Sequence, residues 1–557
     1  MLNILIISSQ FALTFLIGRS FYYFLLKYVL KNNKNKILNI DPYNFYLFFG
    51  LFIIGNLSVI FNFFKGVDNL FFKIILLSLV LLNLFIKPKF NFSPNFLLYV
   101  VPMYFLLILS NYNLGLNKDS DIYHLNHQLF IREEKIIIGL SNLHHRYGFS
   151  SIWEYILSNF WFGENLIFLI TPNLIFLFNL YLIFISFILS SQIFYRKISI
   201  IFIIFGILDN FGFMGGRNGF FAIDEIGGFD NSFGILFFIS SILIIYAFVN
   251  KNLDLFDFLT LGILIFFTGQ IRYFGFILFI PFLFRLFKDI PKPFYKKSPI
   301  IFGGLLSFFW LLKNIIISGC FFYPVYQTCI TSLSWFQPYQ AKVVSLSIVG
   351  HPKKPNDIFV PISDFTWIQE WLPNNASYLT NYLICIIFIR ILLYRKINNL
   401  DFRGISLALL LMLIWFFLTP AYRFAPPIFL TVLLLLNFDY LSDTRTSFLF
   451  KNTNVTILLA LVVICAFLTV RLDSYRTFLT KPIESHKVFP NQIEYVSRGN
   501  YFGEKPVKGK TCYMNKNCFP DDYEVTIKNY KYFKRVEPVD INYWKKFYNE
   551  IENKKSI

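Results

Sequence analysis

ENLIFLITPNLIFLFNLYLIFISFILSSQI, residues 164–193, is an apolar run of thirty residues whose only charge is its first residue, Glu164. About 20 apolar residues suffice for a helix to cross a bilayer, so the run reads as a transmembrane span. Thirteen more such runs occur, near 4–28, 44–63, 70–86, 97–112, 198–208, 232–249, 257–269, 271–287, 298–317, 377–394, 404–418, 424–441 and 455–471. The expected fold is an all-α polytopic membrane protein of about 12–14 transmembrane helices.

Composition agrees. The 557 residues are 56% hydrophobic, 21% aromatic and only 15% charged, where soluble domains carry about 25%. The 74 Phe reflect a general bias and carry no individual functional weight. A net charge of +19 raises nucleic acid as a partner, but the Lys and Arg lie mostly in short loops between apolar runs, so a lipid bilayer explains them and nucleic acid is set aside. The N-terminal MLNILIISSQFALTFLIG has neither a basic leader nor a small-residue cleavage site, and reads as a retained span.

Alternate loops are basic, which sets the sidedness. One set holds Lys31, Lys34, Lys36; Lys87, Lys89; Arg196, Lys197; Lys288, Lys292, Lys296, Lys297; Arg390, Arg395, Lys396, Arg403; and Arg445 with Lys451, and is cytoplasmic by the positive-inside rule. The long connections 113–163, 209–231 and 318–376 then face outward. The domain reading is a polytopic part, 1–471, and a small extracytoplasmic C-terminal region, 472–557. Trp and Tyr at mixed helical spacing make 113–163 a set of interfacial helices covering an outer cavity. Six Cys are too few for a disulfide framework, and Cys320, Cys329, Cys385 and Cys465 lie in or near apolar stretches; CYMNKNC is the exception, where Cys512 and Cys518 are spaced to close a small disulfide loop in an oxidising compartment.

The first outer loop gathers Lys118, Asp119, Asp121, His124, His127, Arg132, Glu133, Glu134, His144, His145 and Arg146, four of the chain's six His among them. Asp119 and Asp121 directly follow a span, so their carboxylates belong at the membrane surface, placed to deprotonate an acceptor or to hold a divalent cation such as Mg or Mn. His124 and His127 share a helix face, with His144 about 20 residues on, but H-x-x-H without an acidic or Cys partner pattern is a weak zinc signal. A second outer cluster, GGRNGFFAIDEIGGFD, holds Arg217, Asp224 and Glu225 among glycines and also reads as a plain loop. Arg272 in GQIRYFGF and Arg423 in PAYRFAPP stand at outer ends of spans, where Arg suits bidentate binding of a lipid phosphate or diphosphate; snorkelling to ordinary phospholipid is the alternative.

These segments resemble a pattern. KDSDIYHLNHQLFIREEKIIIGLSNLHHRYGF is similar to the D-T-x-x-Y-H segment followed by G-L-x-N-L-H-x-R-x-G-F of a family of poorly characterised bacterial multispanning proteins, themselves similar to GT-C glycosyltransferases. LLKNIIISGCFFYPV resembles their N-x-x-x-S-G-x-x-x-Y-P segment, AYRFAPP their P-x-R-F-A segment and GKTCYMNKNCFP their C-terminal Cys pair, in that order over about 119–519. The resemblance implies a GT-C-like bundle in the bacterial inner membrane, with its active site toward the periplasm or exterior, inverting transfer from a polyprenyl-phosphate or polyprenyl-diphosphate sugar donor, and a glycan, lipid or protein acceptor. It assigns the acidic residue that activates the acceptor or binds a metal to Asp119, while Asp121 stands where the pattern has a small residue. Tyr123, His124, Asn142, His144, Arg146 and Gly148 would line the pocket, Arg423 would face the donor phosphate, and Arg217 and Arg272 are further candidate substrate-binding groups. An O-antigen-type polymerase or ligase is the neighbouring reading. A flippase or transporter would place ionisable residues within spans, where they are scarce, and an assembly protein would tolerate loss of all these residues.

Overall fold

The computed structural model describes residues 2–30, 36–86, 94–112, 114–117, 119–208, 224–250, 253–288, 297–354, 365–393, 402–418, 420–443, 471–480, 495–497, 504–507, 518, 524–540 and 542–555. It is mostly helical. In chain order the helices are α1 (Leu2–Phe24), α2 (Tyr46–Asn62), α3 (Leu70–Leu81), α4 (Pro94–Leu109), α5 (Leu125–Glu133), α6 (Ile152–Leu157), α7 (Thr171–Leu189), α8 (Ile193–Ile207), α9 (Asp230–Val249), α10 (Leu255–Ile271), α11 (Phe279–Lys288), α12 (Lys297–Ser318), α13 (Pro338–Gly350), α14 (Trp367–Leu393), α15 (Phe402–Leu418), α16 (Ala425–Leu436), α17 (Phe438–Ser442), α18 (Leu472–Thr480) and α19 (Tyr543–Lys555). Each apolar run up to 441 coincides with a helix; the run 455–471 lies outside the described residues except at Arg471.

Among the described residues five helices are long and apolar enough to cross a membrane: Leu2–Lys27, Leu166–Leu189, Asp230–Val249, Ile301–Ser318 and Trp367–Leu393. Their burial differs in a way that orders the bundle. The most apolar stretch of Leu166–Leu189 is 100% buried within the protein and that of Trp367–Leu393 only 28%, so the first is central and the second peripheral. α14 and α15 leave Ile384, Ile387, Ile391, Leu409, Leu410 and Leu413 exposed, an outer face whose natural solvent is hydrocarbon. α1 and α2 approach so closely that a Cβ at Gly18 would sit 1.7 Å from the Tyr46 carbonyl oxygen, and one at Gly50 2.0 Å from that of Thr14. Small residues let helix backbones touch where no hydrophobic force separates helix from lipid.

Residues 113–163 fold inward rather than lying over the surface as interfacial helices. All six residues of α6 and seven of the nine in α5 are buried, because Trp153, Tyr155 and Ile156 complete the core against α2 and α10. Among the described residues, ionisable side chains in or beside apolar helices that are also buried include Arg19, Lys197, Asp257, Arg285 and Lys313, more than the apolar runs suggested; each of these is tied to named partners, as in Arg285 to the Ala247 carbonyl and Lys197 to those of Tyr440 and Asp443.

The C-terminal region builds two antiparallel pairs, β1 (Tyr495–Ser497) with β2 (Glu504–Pro506) and β3 (Val525–Tyr530) with β4 (Phe533–Pro538). β4 extends onto the connection between α5 and α6: Ile138 N donates to Lys534 O and Val536 N to Ile138 O, each at 3.0 Å, and Lys534 pairs with Glu134 at 2.9 Å.

Candidate functional site

The segment after α4 is pinned first by backbone. Asn117 N donates to Ile226 O at 3.0 Å, Ile226 N to Gly115 O at 3.1 Å, and Ser120 Oγ to Ile226 O at 2.6 Å. Gly227 has φ +89° and a Cβ there would lie 1.8 Å from Ser120 Oγ, so only glycine closes this contact. The glycine-flanked cluster after α8 is thereby fixed against the segment after α4, as far as its described residues 224–230 go; Arg217 lies outside the described residues. Ser120–His124 then forms one turn of π-helix, a local widening often found at functional sites, running directly into α5.

That turn distributes the acidic candidates. Asp119 is held by its own loop: its backbone N–H donates to Asn117 Oδ1 at 2.9 Å and its carboxylate accepts from the Tyr123 hydroxyl. Burial, then the Asp119 charge, drives the Tyr123 phenol above its ordinary range. Asp121 is half-buried, its Oδ1 has no hydrogen-bond partner among the described residues, and burial pushes its carboxyl up to about 6.

His124 meets a residue the sequence reading did not single out. Its Nδ1 pairs with Glu154 Oε1, while Gln128 Nε2 donates to Glu154 Oε2 at 3.0 Å and Trp161 Nε1 to Gln128 Oε1 at 2.8 Å. Both Glu154 oxygens are thus used. Burial alone would raise the Glu154 carboxyl, but His124 beside it, with His127 and Gln128, holds it below the ordinary carboxylate range. His127 faces the same carboxylate, yet burial pushes its imidazole down to about 4 and keeps it neutral; its Nε2 has no partner among the described residues. A carboxylate inside the apolar run Ile-Trp-Glu-Tyr-Ile-Leu was the available signal for Glu154, since burying one without a partner is costly.

The H-x-R turn closes over Tyr123. His144 Nδ1 accepts from Arg146 N at 3.2 Å, the His144 ring stacks on Tyr123 at 5.7 Å, and the Arg146 guanidinium lies 5.7 Å from the same ring. A Cβ on Gly148 would come 2.6 Å from the Tyr323 ring, which brings the Y-P segment after α12 into the cluster. Asn142 is placed elsewhere: Nδ2 donates to Trp335 O at 2.9 Å and Val536 O at 3.5 Å, tying this loop to β4. Lys313, also unmarked by the sequence reading, donates from Nζ to Ser150 O and, at 3.0 Å, to Ser150 Oγ.

The arginines converge on one carboxylate. Arg272, ending α10, binds Asp230 Oδ1 through Nη2, and Arg423 Nε lies 3.6 Å from Asp230 Oδ2. Arg272 Nη1 is buried without a partner among the described residues, and its guanidinium stacks between Phe229 at 5.1 Å and Phe424 at 4.1 Å. Asp224 Oδ2 accepts from Asn231 N at 2.8 Å; burial, then the Asp230 charge, pushes its carboxyl up to about 7. Phe229 joins the two halves, because the His124 ring meets it edge-on at 5.9 Å.

One cysteine expectation is revised. Cys320 and Cys329 form a disulfide, with Cα atoms 3.8 Å apart, because the turn after α12 folds back on itself and pairs the two residues; their apolar surroundings had hidden this. Cys518 is disulfide-bonded and buried, and its carbonyl accepts from Asn126 Nδ2 at 3.3 Å, while Cys512 lies outside the described residues. Among the described residues no group of three or more His, Cys, Asp or Glu side chains is arranged to hold a metal ion. Asp119 and Asp121 are not part of such a group among the described residues.

No curated protein and no solved structure matches the chain. Residues 1–430 match a family described as a domain of unknown function, DUF8201, and the chain, matched over more than three quarters of its length, belongs to that family.

Proposed function

We propose that this protein is a GT-C-type membrane glycosyltransferase, a bundle of 12–14 spans that moves a sugar from a polyprenyl-phosphate-type donor to a glycan, lipid or protein acceptor at the outer face of a bacterial inner membrane. A carboxylate of the first outer loop, Asp119 by the resemblance and Asp121 beside it, takes the proton of an acceptor hydroxyl. The oxygen attacks the anomeric carbon with inversion, the sugar–phosphate bond breaks, and the electron pair leaves with the lipid phosphate. Arg272 and Arg423 meet that charge, and charge placed in advance where the leaving group departs is usually the larger catalytic contribution.

The observation that carries this reading is the meeting of the two halves at Phe229, which sets the Asp119–His124 turn beside the Arg272–Asp230–Arg423 group. The Cys320–Cys329 disulfide supports the sidedness, since disulfides persist in oxidising compartments and this one lies on a connection read as outward. A divalent cation on Asp119 and Asp121 belongs to the proposal only as an addition to be tested by chelation. Surface glycans should be compared between cells carrying wild type, Asp119→Asn, Asp121→Asn and a deletion at matched membrane levels. The reading expects at least one Asn variant to lose the same sugar as the deletion. If both restore the glycan, these carboxylates are not the base, and a polymerase, ligase or flippase role takes over.

A further inference from the structure

We infer that the tip of the β3–β4 hairpin, Tyr530-Lys531-Tyr532, is a membrane anchor that seats its tyrosine rings among the headgroups of an anionic leaflet. The inference goes beyond the transferase reading and holds whatever reaction the protein performs.

The height of the hairpin follows from what it packs on. Val525 and Val536 are buried in one apolar cluster with Ile317, and Gly139, whose neighbour Ile138 binds β4, donates its N–H to Ile316 O at 2.9 Å. Ile316 and Ile317 belong to the last turn of α12, whose apolar span runs over Ile301–Ser318. The base of the hairpin is thus level with the end of a span. Its tip lies against a second such end. Phe533, next to the turn, packs on the same cluster and lies 5.8 Å from Lys135 Nζ, and Ile136 N donates at 2.9 Å to the carbonyl of Asn62, the last residue of α2. An apolar span ends where the headgroup layer begins, so a segment packed on two such ends lies at that layer.

The residues at the tip suit that layer. β3 and β4 pair as far as Tyr530 with Phe533, which leaves Lys531 and Tyr532 as a two-residue turn. Tyr532 is 81% exposed and Tyr530 48%. A single exposed aromatic ring is ordinary on a protein surface, but these stand beside a lipid-facing one. Phe63 packs on the same cluster and meets Phe309 of α12 at 5.7 Å, while the flanking Phe64 and Phe308 are exposed. Tyrosine, apolar in its ring and polar at its hydroxyl, favours the boundary between hydrocarbon and water. Charge selects the lipid. The hairpin and the 133–135 stretch beside it carry Lys135, Lys528, Lys531, Lys534 and Arg535 against Glu133, Glu134 and Glu537. Glu537 is shared by Lys528 and Arg535, and Glu134 is taken by Lys534. Lys531 stands exposed between the two tyrosines, and this excess of cation at the membrane surface attracts anionic headgroups.

The full chain carrying Tyr532→Cys, labelled there with bimane, would be placed in phosphatidylcholine nanodiscs with and without a nitroxide on the lipid headgroup, and the wild type labelled alongside would give the background. Beyond that background, the label should lose roughly half of its emission to the headgroup nitroxide, as a group held within the interface does. Phosphatidylglycerol with a nitroxide near the top of its chain should quench about twofold more than phosphatidylcholine so labelled at the same mole fraction, and Lys531→Gln or high salt should bring the two together. Tyr532 is so exposed that replacing it removes no packing; if that variant nevertheless fails to fold, Tyr530→Cys carries both comparisons. Emission untouched by the headgroup nitroxide and quenched instead by a water-soluble one overturns the anchor and marks the tip as a surface for a soluble partner such as a glycan. Equal quenching by the two chain-labelled lipids overturns the choice of an anionic leaflet.

Discussion

Asp224→Asn isolates one buried charge. Asp224 is largely buried behind the start of α9, and burial, then the nearby Asp230 charge, outweigh the Asn231 N–H that it accepts at 2.8 Å and move its carboxyl from the ordinary 3.8 to about 7. The sign follows from linkage: a group whose folded pKa is raised favours the folded state most when protonated, so that contribution is complete below about pH 4 and is lost as pH rises to 7. At 1.36 kcal/mol per unit, the shift is worth about 4 kcal/mol at most. Asn keeps a carbonyl oxygen for Asn231 and cannot ionise. The variant should therefore match wild type near pH 4 in thermal unfolding of the detergent-purified chain and gain steadily up to pH 8, where it unfolds several degrees higher. A variant advantage that is the same at pH 5 and pH 8, or a less stable variant at pH 8, would refute the placement of an uncompensated carboxyl there.

Gly18→Ala and Gly50→Ala each drive a Cβ into a carbonyl of the facing helix, within 2.0 Å, and should cost about 1–3 kcal/mol or more, read as lowered unfolding temperature and yield; Gly303→Ala, with nothing within 4 Å, should change neither. Cys320→Ser opens a loop closed over nine residues and should cost about 2.5 kcal/mol on chain entropy, with the mass difference between reduced and non-reduced protein falling by that of one disulfide.

The helices were legible because the signal is local: a run of some twenty apolar residues has one stable conformation in lipid, whatever its neighbours do. The runs at 44–63 and 232–249 became α2 and α9 with boundaries moved by a residue or two. Much of the site was legible for a similar reason, since Asp119, Tyr123, His124, His144 and Arg146 sit close in sequence and chemically stand out from an apolar chain. The inward fold of α5 and α6 was not, because Trp and Tyr at helical spacing describe a core helix and an interfacial one equally well.

The sequence by itself determined that this chain is built of apolar helices and which polar groups its long connections carry. Only the tertiary structure decided their pairings. Glu154 with His124, Asp230 with Arg272 and Arg423, Cys320 with Cys329, and Phe229 between the two halves all depend on how helices far apart in the chain pack. A buried charge announces that it needs a partner, but its partner is chosen by packing geometry, which residue spacing alone does not encode.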